Sequence, residues 1–159
     1  MRTFTEEEDQ RFLASIDRRA ASAAAWLETP EGKLVIVRSD YKLHWSLPGG
    51  LVDAGENPLE AVQREVAEEI GIWLPAEAFM FRLVVSRTSS PPLKFSYQFL
   101  FQASVSDEQL ASIKLQAGEI EELAVVSRDE IQRGERVYAP AIYAWASGEA
   151  GYAEHQLER

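Results

Sequence analysis

The segment ENPLEAVQREVAEEIG, Glu56 to Gly71, contains the signals for both ends of one helix. Asn57 is a favourable N-cap, Pro58 suits the first helical position, and Glu60 completes a capping box. Gly71 is a natural C-terminal stop, because glycine readily adopts the left-handed conformation that ends many helices. Between these limits the helical repeat predicts one apolar stripe that faces the core, formed by Leu59, Val62, Val66 and Ile70.

A second stripe of the same helix is acidic and lies at the margin of the apolar one. It consists of three glutamates that are neighbours on the helix surface and repel one another: Glu65, Glu68 and Glu69. Arg64 has Glu60 and Glu68 at four-residue spacing, so it can orient one acid without neutralising all three. Two interpretations follow, a solvated acidic face or a site for a hard cation such as Mg²⁺, which prefers oxygen ligands. The glycine-rich bend SLPGG before the helix favours the cation, because glycine backbone can approach a metal or phosphate closely.

Strand and helix patterns alternate along the rest of the chain and predict one α/β domain over residues 1–159. Residues 1–20 form a helical extension, with Thr5 as N-cap and Arg18 and Arg19 near the helix end. The other predicted helices cover 107–115, 127–134 and 140–147. The predicted strands cover 21–28, 33–39, 79–88, 93–104 and 122–127, with a turn at residues 89–92 between the third and the fourth.

Composition excludes several kinds of site. The chain has no cysteine, so disulfides, thiolate metal sites and cysteine nucleophiles are excluded, and we expect a reducing, cytoplasmic setting. Its net charge of −10 disfavours a broad surface for nucleic acid or anionic membrane. No apolar run is long enough for a bilayer, and the N-terminus lacks signal-peptide order. The expected partner is a small molecule, and an anionic one is compatible with this charge if a metal or local arginines reverse the field.

The spacing of the glycines, glutamates and arginine from Gly50 to Ile72 resembles the Nudix box, G-x5-E-x7-R-E-U-x-E-E-x-G-U, where U is aliphatic. Every fixed position of this 23-residue pattern is filled. The resemblance implies an α/β/α sandwich around a mixed β-sheet. It also implies Mg²⁺- or Mn²⁺-dependent hydrolysis of a nucleoside diphosphate linked to another group, with one to three metal ions.

The resemblance also assigns roles to residues of the box. Glu65, Glu68 and Glu69 would be metal ligands, and the Gly49 carbonyl is a further candidate. Arg64 and Glu56 would hold the ligand carboxylates in place.

Other catalytic and substrate-binding residues are less constrained by the pattern. Members of the family often take another acid, as base or metal ligand, from a loop after the later strands. The loop AGEIEEL offers Glu119 first and Glu122 second, and a helix glutamate is the alternative base. The candidate substrate contacts are Arg38, Trp45, Arg82 and Arg87, with Phe81 as a further aromatic.

The sequence motifs of particular Nudix subgroups are missing. The candidate substrates are therefore a nucleoside triphosphate and a nucleotide sugar such as ADP-ribose. Two alternatives to these are a non-catalytic nucleotide sensor and an RNA 5′-end pyrophosphohydrolase. The intact acids count against a sensor, and the excess of 26 acids over 16 Lys and Arg counts against RNA. The N-terminal helix is additional to the minimal fold and is the candidate interface of a homodimer.

Overall fold

The computed structural model describes residues 3–88 and 95–156. The predicted turn at residues 89–92 lies outside them. The α-helices in these ranges are α1 (Glu6–Ser15), α2 (Pro58–Ile70), α3 (Asp107–Ala111), α4 (Arg128–Arg133) and α5 (Pro140–Ser147). The strands are β1 (Ala20–Glu28), β2 (Leu34–Arg38), β3 (Gly49–Leu51), β4 (Met80–Thr88), β5 (Phe95–Ser104), β6 (Glu122–Val126) and β7 (Gly151–Gln156). A short 3₁₀-helix, Ala76–Ala78, precedes β4.

The strands form one mixed sheet in the order β6-β2-β1-β5-β4-β7. The pairs β1–β5 and β4–β7 are parallel, and the others are antiparallel. Two strands share one edge of β1: β2 pairs at Glu28, whereas β3 pairs along residues 22–24. This division of one edge places the short strand β3, with its two glycines, beside the N-terminal half of β1.

Helices cover both faces of the sheet, which confirms the predicted α/β/α sandwich. Successive strand residues point to opposite faces, so β1 contributes Ala23, Ala25 and Leu27 to one core and Ala24 and Trp26 to the other. The first core includes the apolar stripe of α2. The second packs the other face of the sheet against α4 and α5.

The N-terminal helix α1 begins at the predicted cap, because the Thr5 side chain accepts from the Glu8 amide. It ends at Ser15, earlier than predicted, and its last turn contains no basic residue. Ile16 is already extended, so Arg19 lies beyond the helix, 4.9 Å from the Phe95 ring centroid. None of the helix residues is buried. The homodimer assigned to this helix stays a prediction.

The C-terminal strand β7 and the short β3 were not predicted from the sequence. β7 pairs in parallel with β4 from Leu83 to Thr88. Its alternation is weak, because most of its residues are exposed. The longest helix, α2, has 13 residues, and within 3–88 and 95–156 no helix has the length and apolar composition needed to cross a membrane.

Candidate active site

Helix α2 is fixed at both ends by the predicted caps. The Asn57 side chain accepts from the Leu59 and Glu60 amides at 3.0 Å, and the Glu60 carboxylate accepts from the Asn57 amide at 2.8 Å. Gly71 ends the helix at φ 72° and ψ 15°. With its register set in this way, the helix buries Val62, Val66 and Ile70 completely. The acidic stripe therefore lies at the edge of the buried face, as predicted.

Arg64 organises the acids around it. Its Nε and Nη2 donate to the two carboxylate oxygens of Glu56 at 2.9 and 3.0 Å. Its Nη1 donates to Glu65 at 2.8 Å and to Glu68 at 3.2 Å, and Nη2 also donates to the Leu51 carbonyl. The bond from Arg64 lowers the pKa of Glu56.

Glu60 completes the predicted capping box, and in the described residues it forms no hydrogen bond or ion pair with Arg64, four residues away. Glu60 turns back to cap Asn57 at the start of α2, so its carboxylate is already used. Arg64 reaches in the other direction, to Glu56 in the turn before the helix. The bidentate geometry with a single carboxylate is the arrangement that a planar guanidinium favours.

Glu69 is the most enclosed acid of the stripe, with a relative exposure of 8%. Its carboxylate accepts from the Gly49 amide at 2.9 Å. Burial raises the pKa of Glu69 to about 7, and the charges of Glu65 and Glu119 act in the same direction, against the Gly49 bond and the charge of Lys42. Burial also raises the pKa of Glu65, with Arg64 opposing the shift. The anionic forms of Glu65 and Glu69 are therefore destabilised unless a cation or a proton is bound.

The two glycines of β3 are required by close approach. A side chain at Gly50 would overlap the Glu65 carboxylate. Gly49 has a φ of 147°, and a side chain there would overlap the backbone of Ala23 and Ala24 on β1. Glycine at both positions lets the strand lie directly against the acids of α2.

The loop before β6 brings one of its acids to the helix. The Gln116 amide donates to the Glu69 carbonyl at 2.9 Å, and the Lys114 amide donates to the Ile70 carbonyl. Glu119, in the turn that follows, raises the pKa of both Glu65 and Glu69 through its charge. Glu119 is thus near enough for its charge to act on both helix acids, and we define the acid cluster as Glu65, Glu68, Glu69 and Glu119.

The second loop candidate, Glu122, points elsewhere. It lies opposite Arg38 in the β2–β6 pairing, and the two side chains form an ion pair. Arg38 also lies 3.0 Å from Glu121. This arginine, predicted as a substrate contact, is thus already engaged by two carboxylates.

The remaining predicted substrate contacts have partners outside the acid cluster. In the described part of the chain, neither Trp45, Arg82 nor Arg87 is hydrogen-bonded or ion-paired to it. The Trp45 ring lies 5.2 Å from the guanidinium carbon of Arg136. Arg82 approaches the Met80 sulfur at 3.9 Å, and Arg87 donates to the Ser22 hydroxyl at 2.8 Å. Phe81 is half exposed and packs edge-on against Phe101.

Comparison with known protein families shows which family has this arrangement of residues. The family model described as NUDIX domain matches residues 18–146. The chain belongs to the Nudix family.

Curated and solved relatives agree with this assignment. The chain is 34% identical over 80 residues to the Bacillus subtilis protein named "Putative ADP-ribose pyrophosphatase YjhB", covering 50% of this chain and 38% of that protein. It is 38% identical over 76 residues to the Rhodococcus erythropolis Nudix hydrolase orf19, covering 43% of this chain and 41% of that protein. The matched part is thus about two fifths of the length of these curated relatives.

Among solved structures, the NUDIX domain of Shewanella oneidensis NrtR, complexed with ADP ribose, is similar with a TM-score of 0.67. The identity is 18%, covering 91% of this chain and 97% of that chain. At this identity the likeness supports the shared Nudix fold.

The Nudix acids offer the oxygen donors that a divalent metal prefers, but their present positions do not form a complete set of metal ligands. Within residues 3–88 and 95–156 no group of three or more Asp, Glu or His side chains is placed to hold an ion as it stands. Arg64 draws the Glu65 and Glu68 carboxylates toward itself. The donors are nevertheless all oxygen. Burial and the neighbouring carboxylates raise the pKa of Glu65 and Glu69, and a bound hard cation would offset this destabilisation of their anionic forms.

Lys42 is a residue near the acids that sequence reasoning missed. It lies in the loop between β2 and β3. Its charge opposes the rise in the pKa of Glu69, and burial together with the Lys42 charge lowers the pKa of His44. In the described residues it forms no ion pair within 4.0 Å; its ammonium lies 5.4 Å from the Tyr41 ring centroid. The only sequence signal was its position four residues before Ser46, the start of SLPGG, which does not distinguish it from other surface lysines.

Proposed function

We propose that this Nudix chain hydrolyses the phosphoanhydride bond of a nucleoside diphosphate linked to another group, in a reaction that requires Mg²⁺ or Mn²⁺. The observation that carries the proposal is the position of Glu65 and Glu69 against the backbone of Gly50 and Gly49, with the charge of Glu119 acting on both. A solvated acidic face does not need buried carboxylates with raised pKa values. A site that holds cations between protein and phosphate does.

Some residues around the site are proposed to bind the metal, and others to hold the metal ligands in place. A bound divalent metal would neutralise the diphosphate and lower the pKa of an attacking water. Glu65, Glu68 and Glu69 are the proposed ligands, with the Gly49 carbonyl as a further oxygen. Arg64 and Glu56 hold these carboxylates in place, since the Arg64 guanidinium contacts all but Glu69.

Glu119 is the proposed proton acceptor or additional ligand. It lies in the loop before β6, its charge acts on Glu65 and Glu69, and in the described residues no hydrogen bond or ion pair joins its side chain to another side chain. A base must accept the proton of the attacking water without already being neutralised by a protein cation. A glutamate of α2 is the alternative base.

The first substrates to test are nucleotide sugars such as ADP-ribose, followed by nucleoside triphosphates. One curated relative is named for ADP-ribose, and the NrtR Nudix domain was solved with that compound. Of the predicted substrate contacts, we keep Trp45, Arg82 and Arg87 as candidates and rank Arg38 last, because Glu121 and Glu122 already engage it. The net charge of −10 supports a small-molecule substrate over nucleic acid.

A product-release screen tests this proposal, with the products separated by anion-exchange chromatography, because hydrolysis of a nucleotide sugar gives two phosphomonoesters and no free phosphate. The protein is incubated with nucleotide sugars, nucleoside triphosphates and 5′-triphosphorylated RNA, each with Mg²⁺, Mn²⁺ or EDTA, and Glu69→Gln serves as the matched control. We expect release from small nucleotides with metal only, and strong loss in the variant. Binding of nucleotides without release in any condition would instead support a sensor, and release from RNA alone would support an RNA pyrophosphohydrolase.

A further inference from the structure

Helix α1 carries apolar side chains that the rest of the described chain leaves exposed. We define the α1 apolar face as Phe4, Phe12, Leu13 and Ile16, which are between 47% and 65% exposed. Phe12 precedes Ile16 by four residues and Leu13 precedes it by three, so these side chains lie on one side of the helix. Phe4 and Phe12 line one depression, which joins Phe4 to the same side. The exposed apolar residues are thus contiguous and form a patch.

The helix does not use this face to pack against its own domain. None of the residues of α1 is buried. Within residues 3–88 and 95–156, the side-chain hydrogen bonds and ion pairs of α1 join only residues of the helix and its cap. Beyond the helix the chain reaches the sheet, where the Arg19 guanidinium lies over the ring of Phe95 and donates to the Tyr97 hydroxyl. These contacts anchor the segment after α1 and not α1 itself.

A helix as short as α1 depends on a packing partner. It has 10 residues. Isolated helices shorter than about 12–15 residues are marginal in water, because most helical stability in proteins comes from the packing of an apolar face. The capping box formed by Thr5 and Glu8 fixes where the helix begins, but it does not replace that packing. The α1 apolar face therefore calls for a packing surface that the described residues do not supply.

The charges on and after α1 complement one another when two copies of the helix run antiparallel. The first turn contains the acids Glu6 to Asp9, whereas the segment after the helix contains Arg18 and Arg19. A twofold axis between Phe12 and Leu13 would place the acidic turn opposite residues 16–19 of the partner subunit, because residues at equal distances from the axis face each other. In the described part of the chain Arg18 forms no ion pair, and antiparallel helix dipoles favour the same arrangement.

The α1 apolar face is large enough for a reversible dimer. A fully buried aromatic side chain contributes roughly 150–250 Å², so two phenylalanines that are about two-thirds exposed, with Leu13 and Ile16, offer about 400 Å² in each copy. Two copies together would bury about 800 Å² of apolar surface, and the flanking acids and arginines bring the contact to roughly the 1,000 Å² of a specific interface. This area fits an equilibrium between monomer and dimer.

We propose that a second copy of this chain covers α1, through an antiparallel contact between the two α1 apolar faces. The phenylalanines and Leu13 form the centre of the contact, and pairs between the acidic turn and Arg18 of the partner subunit form its rim and fix its direction. The inference does not depend on the proposed hydrolytic function, because it concerns a different surface and a different measurement.

Sedimentation velocity over a wide range of chain concentrations tests the contact. We expect a concentration-dependent dimer for the wild type, and Phe12→Glu should weaken dimerisation at least about tenfold. Trp73→Glu is the matched control, since Trp73 is an aromatic residue outside α1 with an exposure of 68%. Circular dichroism checks that each variant folds. A wild type that is monomeric at every concentration would overturn the proposal, and so would a dimer that Phe12→Glu leaves intact or that Trp73→Glu weakens equally.

Cysteine cross-linking tests the direction of the contact. The chain has no cysteine, so a single introduced cysteine reports on one position. Leu13→Cys should form a disulfide-linked dimer on mild oxidation, whereas Ala14→Cys, on the side of the helix away from Phe12, should remain monomeric. Glu6→Lys should weaken dimerisation, and Arg18→Glu in the same chain should restore it. Equal cross-linking of the two cysteine variants, or no recovery in the double variant, would overturn the antiparallel arrangement.

Discussion

The carboxylate of Glu69 and the amide of Gly49 form a hydrogen bond of 2.9 Å that joins α2 to β3. The Gly49 amide can donate to Glu69 only because β3 lies directly against α2. It leaves the second carboxylate oxygen for another partner. Glu69 is thus both a structural link and a candidate ligand, and its substitution separates the two roles.

Replacing Glu68 or Glu69 by glutamine should lower kcat by at least about 100-fold while the fold survives. Glutamine keeps the shape of the side chain and can still accept from the Gly49 amide, but it loses the charge that a metal requires. Steady-state kinetics with circular dichroism checks this expectation. Near-wild-type turnover in both folded variants would contradict the assignment of a metal site to α2.

The stability of the metal-free protein should fall as pH rises from 5 to 8. The pKa of Glu69 is about 7 in the folded protein, above its ordinary value of 4.5. Between these values the folded state holds more protons than the unfolded chain, so the stabilisation is complete below about pH 4.5 and is lost through pH 7. The change is on the order of 3 kcal/mol, measured by urea unfolding in EDTA.

In the same experiment Glu69→Gln should flatten this dependence. Its stability at pH 8 should equal or exceed that of the metal-free wild type, because one of the repelling charges is removed. Mg²⁺ should raise the melting temperature of the wild type more than that of the variant. An unchanged pH slope in Glu69→Gln would show that other groups cause it.

Gly49→Ala should destabilise the fold, whereas Gly50→Ala should leave the fold intact and reduce activity. At Gly49 the new side chain meets backbone of β1 in a conformation suited to glycine, so we expect a loss of roughly 2–4 kcal/mol in unfolding free energy. At Gly50 it meets the movable end of Glu65. Gly50→Ala should therefore fold well but lose at least about tenfold in kcat, a result that unchanged kinetics would refute.

Glu119→Gln should reduce kcat with little change in KM and flatten the acid limb of the pH–rate profile. The reason is that Glu119 lies in the acid cluster and is the proposed proton acceptor. Glu122→Gln is the matched control, because the same substitution three residues later affects only the ion pair with Arg38. If both variants retained turnover and the acid limb, the base would have to be a glutamate of α2.

Lys42→Met should weaken binding of the nucleotide more than it slows turnover. Its ammonium lies near Glu69 without an ion pair in the described residues, so it can contact a phosphate that enters the cluster. We expect KM to rise about tenfold or more and Lys42→Arg to restore most of it. Lys33→Met, at an exposed turn position, should behave as wild type; equal KM values in both methionine variants would exclude this role for Lys42.

Features encoded by local sequence were predicted well, and features that depend on distant pairing were not. Asn57, Glu60 and Gly71 define α2 because caps act within a few residues of the chain. The four-residue spacing of Glu60 and Arg64 was also compatible with an ion pair, but Glu60 is used as the predicted cap instead. The ion pair between Arg38 and Glu122, and the contact of Arg87 with Ser22, join residues 84 and 65 positions apart. No periodicity or spacing reports such contacts, and the exposed strand β7 lacks the alternation that marks a half-buried strand.

The parallel pairing of β1 with β5 has a consequence for the order of folding. All nine residues of β1 pair with β5, and the partners, such as Ala20 and Ser96, are 76 positions apart. Both β3 and α2 lie inside the loop that this pairing closes. Loop closure over such a length is slow relative to the formation of a capped helix. We therefore expect α2 to form early as an isolated helix, and its acids to meet Gly49 and Glu119 only in the late, concerted step that completes the sheet.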